Sequence, residues 1–321
     1  MKLYSATDDN IQRAAELIRA GGLVAFPTET VYGLGADGLN SSASAGIFEA
    51  KKRPFFDPLI LHIALMDSLF TIAEDPDSHI LSLAQKFWPG PLTIVVKKKS
   101  HIPDIVTSGL DTVAVRMPDH PVAKKLIELS GTPIAAPSAN RFGSISPTSA
   151  EHVARQLHDS EGMILDGGQC HVGIESTIIS ASGKGITLLR PGGIPVEAIE
   201  EAAGIKVTVP GQGSRPQAPG QLPYHYSPEK PVNLVDRITA DIPGAGLLFF
   251  MKPSFACPDG RSLVLSETGD LREAAANLFA HLHRLDSMEI DFIYAERVPE
   301  KGLGLGIMDR LTKASMKKHL I

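Results

Sequence analysis

Along most of this chain short apolar runs alternate with longer amphipathic ones, and one stretch, residues 210–231, breaks the alternation. Apolar runs closed by turn residues read as buried strands, and runs of 3.6-residue period read as helices. Their alternation points to an α/β architecture. The interruption holds six prolines and three glycines among 22 residues. That composition can follow neither period and reads as a linker. The chain has 321 residues, more than the roughly 250–300 that one core usually supports. We therefore expect a first domain over 1–209, a Pro-rich linker over 210–231 and a smaller α/β domain over 232–321.

In the first domain the spacing predicts a helix over 8–20, with Ile11, Ala14, Ala15 and Ile18 on one face and Gly21-Gly22 as its stop. Further helices are expected over 41–52 and 121–129, and one opened by the capping-box spacing of Thr148-Ser149-Ala150-Glu151. Strands are expected over 23–26, 59–63, 92–96, 112–115, 134–136, 163–165, 177–179 and 187–189. After the linker, strands are expected over 233–235, 246–250, 262–265 and 292–295, with helices over 271–285 and 307–317.

Hydrophobic content of 43% and charged content of 21% are those of an ordinary globular protein. The net charge of −5 gives no global basic excess for gripping nucleic acid, which leaves room for a local basic pocket alone. Cys170 and Cys257 are the two cysteines and lie far apart. They argue against a disulfide framework and a Cys-based zinc site, and fit a reducing, cytosolic compartment. The opening Met1-Lys2-Leu3-Tyr4-Ser5 lacks the apolar stretch of a signal peptide. No run approaches the ~20 apolar residues of a membrane span, so no membrane partner is expected.

Four clusters carry polar chemistry. Pro27-Thr28-Glu29-Thr30-Val31-Tyr32-Gly33-Leu34-Gly35 follows a strand, where open α/β sheets place ligand loops, though an ordinary turn has the same composition. Lys51-Lys52-Arg53-Pro54 suits a phosphate, and suits equally a helix C-terminus. Arg116 closes an apolar strand and must be paired, by a ligand carboxylate or by a structural Asp or Glu. The segment from Pro137 to Thr148, between a strand and a capped helix, offers hydroxyls, an amide and free N–H groups to an anion, or is a polar loop. Ile174-Glu175-Ser176-Thr177 and Leu189-Arg190-Pro191-Gly192-Gly193 add hydroxyls and a cation. A Walker loop, an HExxH metal motif and a GxSxG elbow are all missing. Gly302-Leu303-Gly304-Leu305-Gly306 reads as a tight turn before a helix.

Taken in order, Pro27 to Leu34, Lys51 to Pro54, Pro58-Leu59-Ile60-Leu61-His62, Phe87-Trp88-Pro89-Gly90-Pro91-Leu92-Thr93, Val115-Arg116-Met117-Pro118, Ala136 to Asn140, Ser146-Pro147-Thr148 and Leu189 to Gly192 resemble the YrdC-like family. Ala218-Pro219-Gly220-Gln221 with His225-Tyr226, and Gly302 to Leu305 with Asp309-Arg310-Leu311, resemble its longer, two-domain members. The resemblance covers nearly the whole chain. It implies a YrdC-like twisted open sheet with flanking helices, plus a smaller C-terminal Rossmann-like α/β domain. It also implies the joining of L-threonine, bicarbonate and ATP into threonylcarbamoyl-adenylate, with Mg²⁺ accompanying the triphosphate. A threonylcarbamoyl-transferase complex would then act on tRNA.

By that resemblance Thr30, His62, Arg116 and Ser176 hold L-threonine. Lys51, Arg53, Thr112, Ser138, Asn140, Ser146 and Arg190 surround ATP, with His225 or Tyr226 closing over it as a lid from the linker. No residue is expected to form a covalent intermediate, and no protein metal site is expected. Asp57 stands where many relatives carry a basic or neutral polar residue, so no phosphate contact is expected there. Gln221-Leu222-Pro223-Tyr224 also departs from the relatives. The rival readings are a double-stranded RNA-binding protein, against which the net charge counts, and a hydrogenase-maturation module, whose Cys-rich motifs are missing here.

Overall fold

The computed structural model describes residues 1–182, 185–209, 219–220, 225–257 and 260–316. Among them eleven strands form the larger sheet: β1 (Lys2–Ser5), β2 (Val24–Phe26), β3 (Gly33–Asp37), β4 (Ile60–His62), β5 (Leu92–Lys97), β6 (Thr112–Arg116), β7 (Ile134–Ala135), β8 (Met163–Asp166), β9 (Thr177–Ser182), β10 (Gly185–Arg190) and β11 (Val207–Thr208). Their order is β1-β8-β2-β3-β7-β4-β6-β5-β9-β10-β11, with parallel and antiparallel pairs mixed. Helices cover both faces. The Asp8–Arg19 helix is capped by Thr7 and buries the four residues expected of it. The Pro121–Ser130 helix carries proline in its first turn and ends on Gly131 at φ 67, where a left-handed turn favours glycine.

Several elements depart from expectation. Gly33 to Gly35 is strand, not loop, because β3 pairs antiparallel with β2. A Cβ on Gly35 would lie 2.7 Å from both Ile134 and Phe26, so this strand needs glycine to let its neighbours close in. The Ser78–Phe87 and Val196–Ala203 helices and β1 add to the sequence reading. The capped helix begins one residue later than the motif suggests: Ser149 is the N-cap, accepting from the His152 amide.

The smaller sheet is parallel throughout, in the order β12-β15-β13-β14, with β12 (Val232–Val235), β13 (Ala245–Phe249), β14 (Ser262–Val264) and β15 (Phe292–Glu296). The Leu271–Asp286 and Gly304–Ser315 helices flank it. Each sheet has its own core, but one apolar cluster spans both. Val31, Ile145 and Ile174 of the first domain pack with Leu278, Phe279, Ile307 and Leu311 of the second. The rings of His152 and His283 stack across this seam, 3.9 Å between centroids. Gly306 permits the close approach: a Cβ there would lie 3.1 Å from Ile174 and 3.3 Å from the Gly192 carbonyl.

A candidate ligand cleft on the sheet face

The cleft lies on one face of the larger sheet rather than at its loop ends. Ile60 and His62 are two apart on β4 and so share a face. In register beside them on β6 are Ala114 and Arg116, and opposite Arg116 on β5 is Thr93. The loops after β2 and β7, the start of β9 and the end of β10 complete the walls. About 500 Å³ of space, open in part to solvent, is lined by Thr28, Arg53, His62, Arg116, Ser138, Glu175, Ser176 and Arg190, among others. Pro219, Gly220, His225 and Tyr226 of the linker form its roof. Expectations for residues 221–224 and for 210–218 lie outside the described residues.

Electrostatics divide the cations into two kinds. Arg53 is paired with Asp57 at 2.9 Å and donates to the Asp57 and Pro58 carbonyls. Arg116 is paired with Glu29 at 2.6 Å, both side chains being buried. The structural acid that Arg116 requires is therefore present, and its guanidinium still faces the cleft. Arg190 differs. It donates to the Ser176 carbonyl and hydroxyl and to the Pro219 carbonyl, and among the described residues no carboxylate lies within ion-pair distance of it. Lys51 likewise meets the carbonyls of Ser138 and Asn140, and burial pushes its ammonium pKa well down. Arg190, which lines the cleft, thus leaves it cationic character for an anion.

The neutral donors are equally constrained. His62 is buried beside Arg116, and that burial followed by the neighbouring charge pushes its imidazole down to about 3. It is neutral in the ordinary pH range. Ser176 shares a 2.7 Å hydrogen bond with Thr93. His225 is pushed down to about 3 by burial, and its ring lies 4.2 Å from that of Tyr226. Tyr226 adopts φ +63, a rare conformation for a tyrosine. Its ring stacks on Phe279 of the C-terminal domain, and burial raises its phenol pKa.

Of the residues expected at the site, His62, Arg116, Ser176, Arg53, Ser138, Arg190, His225 and Tyr226 come together on the cleft. Thr30 is one step behind, its hydroxyl 2.8 Å from that of the lining Thr28. Lys51 and Asn140 are also behind the wall. Lys51 holds the Ser138 to Asn140 backbone, and the Asn140 amide donates to the Arg141 and Ser144 carbonyls. Ser146 donates to Glu175 at 2.5 Å instead of facing open space. Thr112 is not brought to the cleft. It shares the face of Ala114 and Arg116 but begins β6, about 13 Å from Arg116 at ~3.3 Å per residue. It lines an adjoining groove with Val95, Lys97, Ser180 and Thr187. Between cleft and groove the floor is apolar: Ile60, Val95, Ala114, Ile178 and Leu189.

Thr28, Glu29, Glu175 and Arg310 were not singled out as site residues. Glu29 lies in the Thr28–Thr30 motif and Glu175 precedes Ser176, so an acid among hydroxyls was the available signal. Nothing local connects Arg310 to position 175.

Comparison with known proteins agrees with this architecture. Residues 16–192 match the family model described as Telomere recombination, and residues 194–316 that of the Threonylcarbamoyl-AMP synthase C-terminal domain. Threonylcarbamoyl-AMP synthase from Pyrococcus abyssi is 45% identical over 320 residues, covering 95% of this chain and 94% of the relative. The Bacillus subtilis enzyme of that name is 40% identical over 326 residues, covering 97% and 94%. The crystal structure of P. abyssi Sua5 complexed with L-threonine superimposes with a TM-score of 0.89 at 42% identity, covering 98% of this chain and 96% of that one. Matches of this extent, running through both domains, place the chain in the two-domain threonylcarbamoyl-AMP synthase family.

Proposed function

We infer that the protein is an L-threonylcarbamoyladenylate synthase, a nucleotidyltransferase that joins L-threonine, bicarbonate and ATP into threonylcarbamoyl-AMP and releases pyrophosphate. The observation that carries this reading is the charge pattern of the cleft. Arg116 faces it beside a neutral His62 and Ser176, a set suited to a small amino acid. Arg190, with no acid in ion-pair distance among the described residues, offers its charge to phosphates.

In this reading Arg116 takes the threonine carboxylate, with His62, Ser176 and the Thr28–Thr30 hydroxyls around the rest of the molecule. The threonine nitrogen and bicarbonate form a carbamate with loss of water. A carbamate oxygen then attacks the α-phosphorus of ATP, the bond to the β-phosphate breaks, and pyrophosphate leaves with the electron pair. The carbamate is a weak nucleophile, so the protein contributes position and charge stabilisation, and no covalent enzyme intermediate is needed.

The triphosphate would lie against Arg190, Arg53 and Ser138, with Lys51, Asn140 and Ser146 shaping the wall. The nucleoside would extend over the apolar floor toward Thr112. Mg²⁺ would arrive with the triphosphate as part of the substrate. Both oxygens of Glu175 already accept, from Ser146 and Arg310, and no protein ligand for the ion is assigned. The roof over the cleft would protect the mixed anhydride from water. The product is a mixed anhydride activated for transfer, and the family resemblance supports tRNA adenosine as the acceptor and a separate complex as the transferase. The cleft's cations are buried, which does not suit a duplex RNA surface.

Among the described residues no helix is long and apolar enough to cross a membrane; a cytosolic location agrees with the free cysteines. The test is pyrophosphate release with ATP, threonine and bicarbonate omitted in turn. Release should require all three, and equal release without threonine would defeat the assignment.

A further inference from the structure

We propose that Arg310, on the Gly304–Ser315 helix of the C-terminal domain, is a positioning residue for the cleft: by holding Glu175 it keeps Arg190 free for the anionic substrate. The proposal rests on the ATP reading above.

Glu175 lines the cleft next to Ser176. Its Oε2 accepts from Arg310 Nε at 2.9 Å and its Oε1 from the Ser146 hydroxyl at 2.5 Å. Arg310 is wholly buried. It also donates to the Pro191 carbonyl and to Asp309, and lies 5.4 Å over the Tyr226 ring. The counter-ion of a carboxylate in the first domain's cleft is thus rooted in the second domain. Burial alone would push Glu175 up. Arg310 first, then Arg190 and the Ser146 hydroxyl, outweigh it and hold the carboxyl down at about 2. His225 and Tyr226 also face it, both neutral in the ordinary range.

Arg190 is the next cation within influence of Glu175, and it is already hydrogen-bonded to the adjacent Ser176. With Arg310 gone, a buried carboxylate has two outcomes: it turns to Arg190, or it stays as an uncompensated negative charge facing the phosphates. Either weakens anion binding. The same helix acts on the other side of Arg190. Lys313 is held by Asp309 at 2.8 Å and donates to the Gly220 carbonyl at 2.7 Å. That contact keeps Pro219, whose carbonyl accepts from Arg190, over the cleft.

The experiment is calorimetric titration of the full-length protein with Mg-ATP and, in parallel, inorganic pyrophosphate, near pH 7.5 and near pH 5.5. It compares wild type, Arg310→Gln, Glu175→Gln and the double variant. Arg310→Gln should lose at least roughly tenfold in affinity near pH 7.5, the scale of one charged interaction. Relative to wild type, the loss should shrink near pH 5.5, because an orphaned buried carboxylate takes up a proton. The double variant, lacking the stray charge, should recover most of the affinity. A double variant as weak as Arg310→Gln, with a loss independent of pH, would make Arg310 merely structural and overturn the proposal. So would unchanged affinity in Arg310→Gln. A wild type that binds pyrophosphate but not ATP would defeat the functional reading alone, while one that binds neither would defeat both.

Discussion

Replacing Arg116 with alanine should do two separable things. Glu29 is 1% exposed and loses its 2.6 Å ion pair, and breaking such a pair by removing one partner costs about 3–5 kcal/mol of stability. Separately, threonine loses a charged hydrogen bond to its carboxylate, worth about 1.5–3 kcal/mol, at least roughly tenfold in affinity. A single variant confounds the two. Glu29→Gln in the same chain removes the orphaned charge while its amide oxygen can still accept from the Asp119 amide, as Glu29 does at 3.1 Å. Denaturant melts should show Arg116→Ala strongly destabilised and the double variant largely restored. Calorimetry should show weak threonine binding in both, with ATP binding kept in the double variant. Wild-type threonine affinity in the restored double variant would refute the ligand role and leave Arg116 as a partner for Glu29 alone.

Three further outcomes are expected. His62, His225 and His283 are pushed from 6.5 down to about 3, chiefly by burial, so between these values the unfolded chain binds more protons and stability rises with pH. From pH 7.5 to 5.5 each should remove about 1.4 kcal/mol, and a denaturation midpoint unchanged over that interval would contradict it; Glu175, held near 2, adds nothing there. Gly220 adopts φ +79, and a Cβ there would lie 2.8 Å from the Tyr226 hydroxyl and 3.1 Å from Arg190. Gly220→Ala should raise the KM for ATP several-fold with an unaltered circular dichroism spectrum, and a wild-type KM would remove the roof from the argument. Cutting after residue 208 should leave a folded sheet, because the core around Leu34, Phe48, Leu61 and Ile94 is internal to it. The shortened protein should bind ATP more weakly and yield less intact adenylate; equality with the full chain in both would reduce the linker to a tether.

Much of the fold was legible where one period dominates. The Asp8–Arg19 helix buries the residues its spacing picked out, and β5 and β6 lie close to their apolar runs. The failures have local causes. β3 is hidden because Gly33 and Gly35, required by close neighbours, look like loop residues. The Ser78–Phe87 helix carries a real signal, Asp77 as cap and Ile80, Leu83 and Ala84 on one face, but it is brief and lies between prolines. The site was legible as a set of residue types and less so as roles. Lys51 looked like a free cation and is spent on loop carbonyls; Thr112 looked like part of the cleft and lies further along the same face. Arg116 could be seen to need a partner, but Glu29 reaches it only through the tertiary fold, from the loop between β2 and β3. Strand order, and with it the face on which the cleft lies, depends on contacts between distant segments that no local pattern encodes.

The ion pair between Glu175 and Arg310 also bears on how such a protein can change over generations. The two positions are 135 residues apart and belong to different domains, yet neither can lose its charge alone without stranding the other in a buried place. Substitutions there should therefore appear in step across homologues, a neutral side chain at one site accompanying a neutral one at the other. Recombination that joined the first domain of one lineage to the second domain of another would succeed only where this match was kept. In a chain that carries both domains, they are coupled by a charge that one supplies and the other requires.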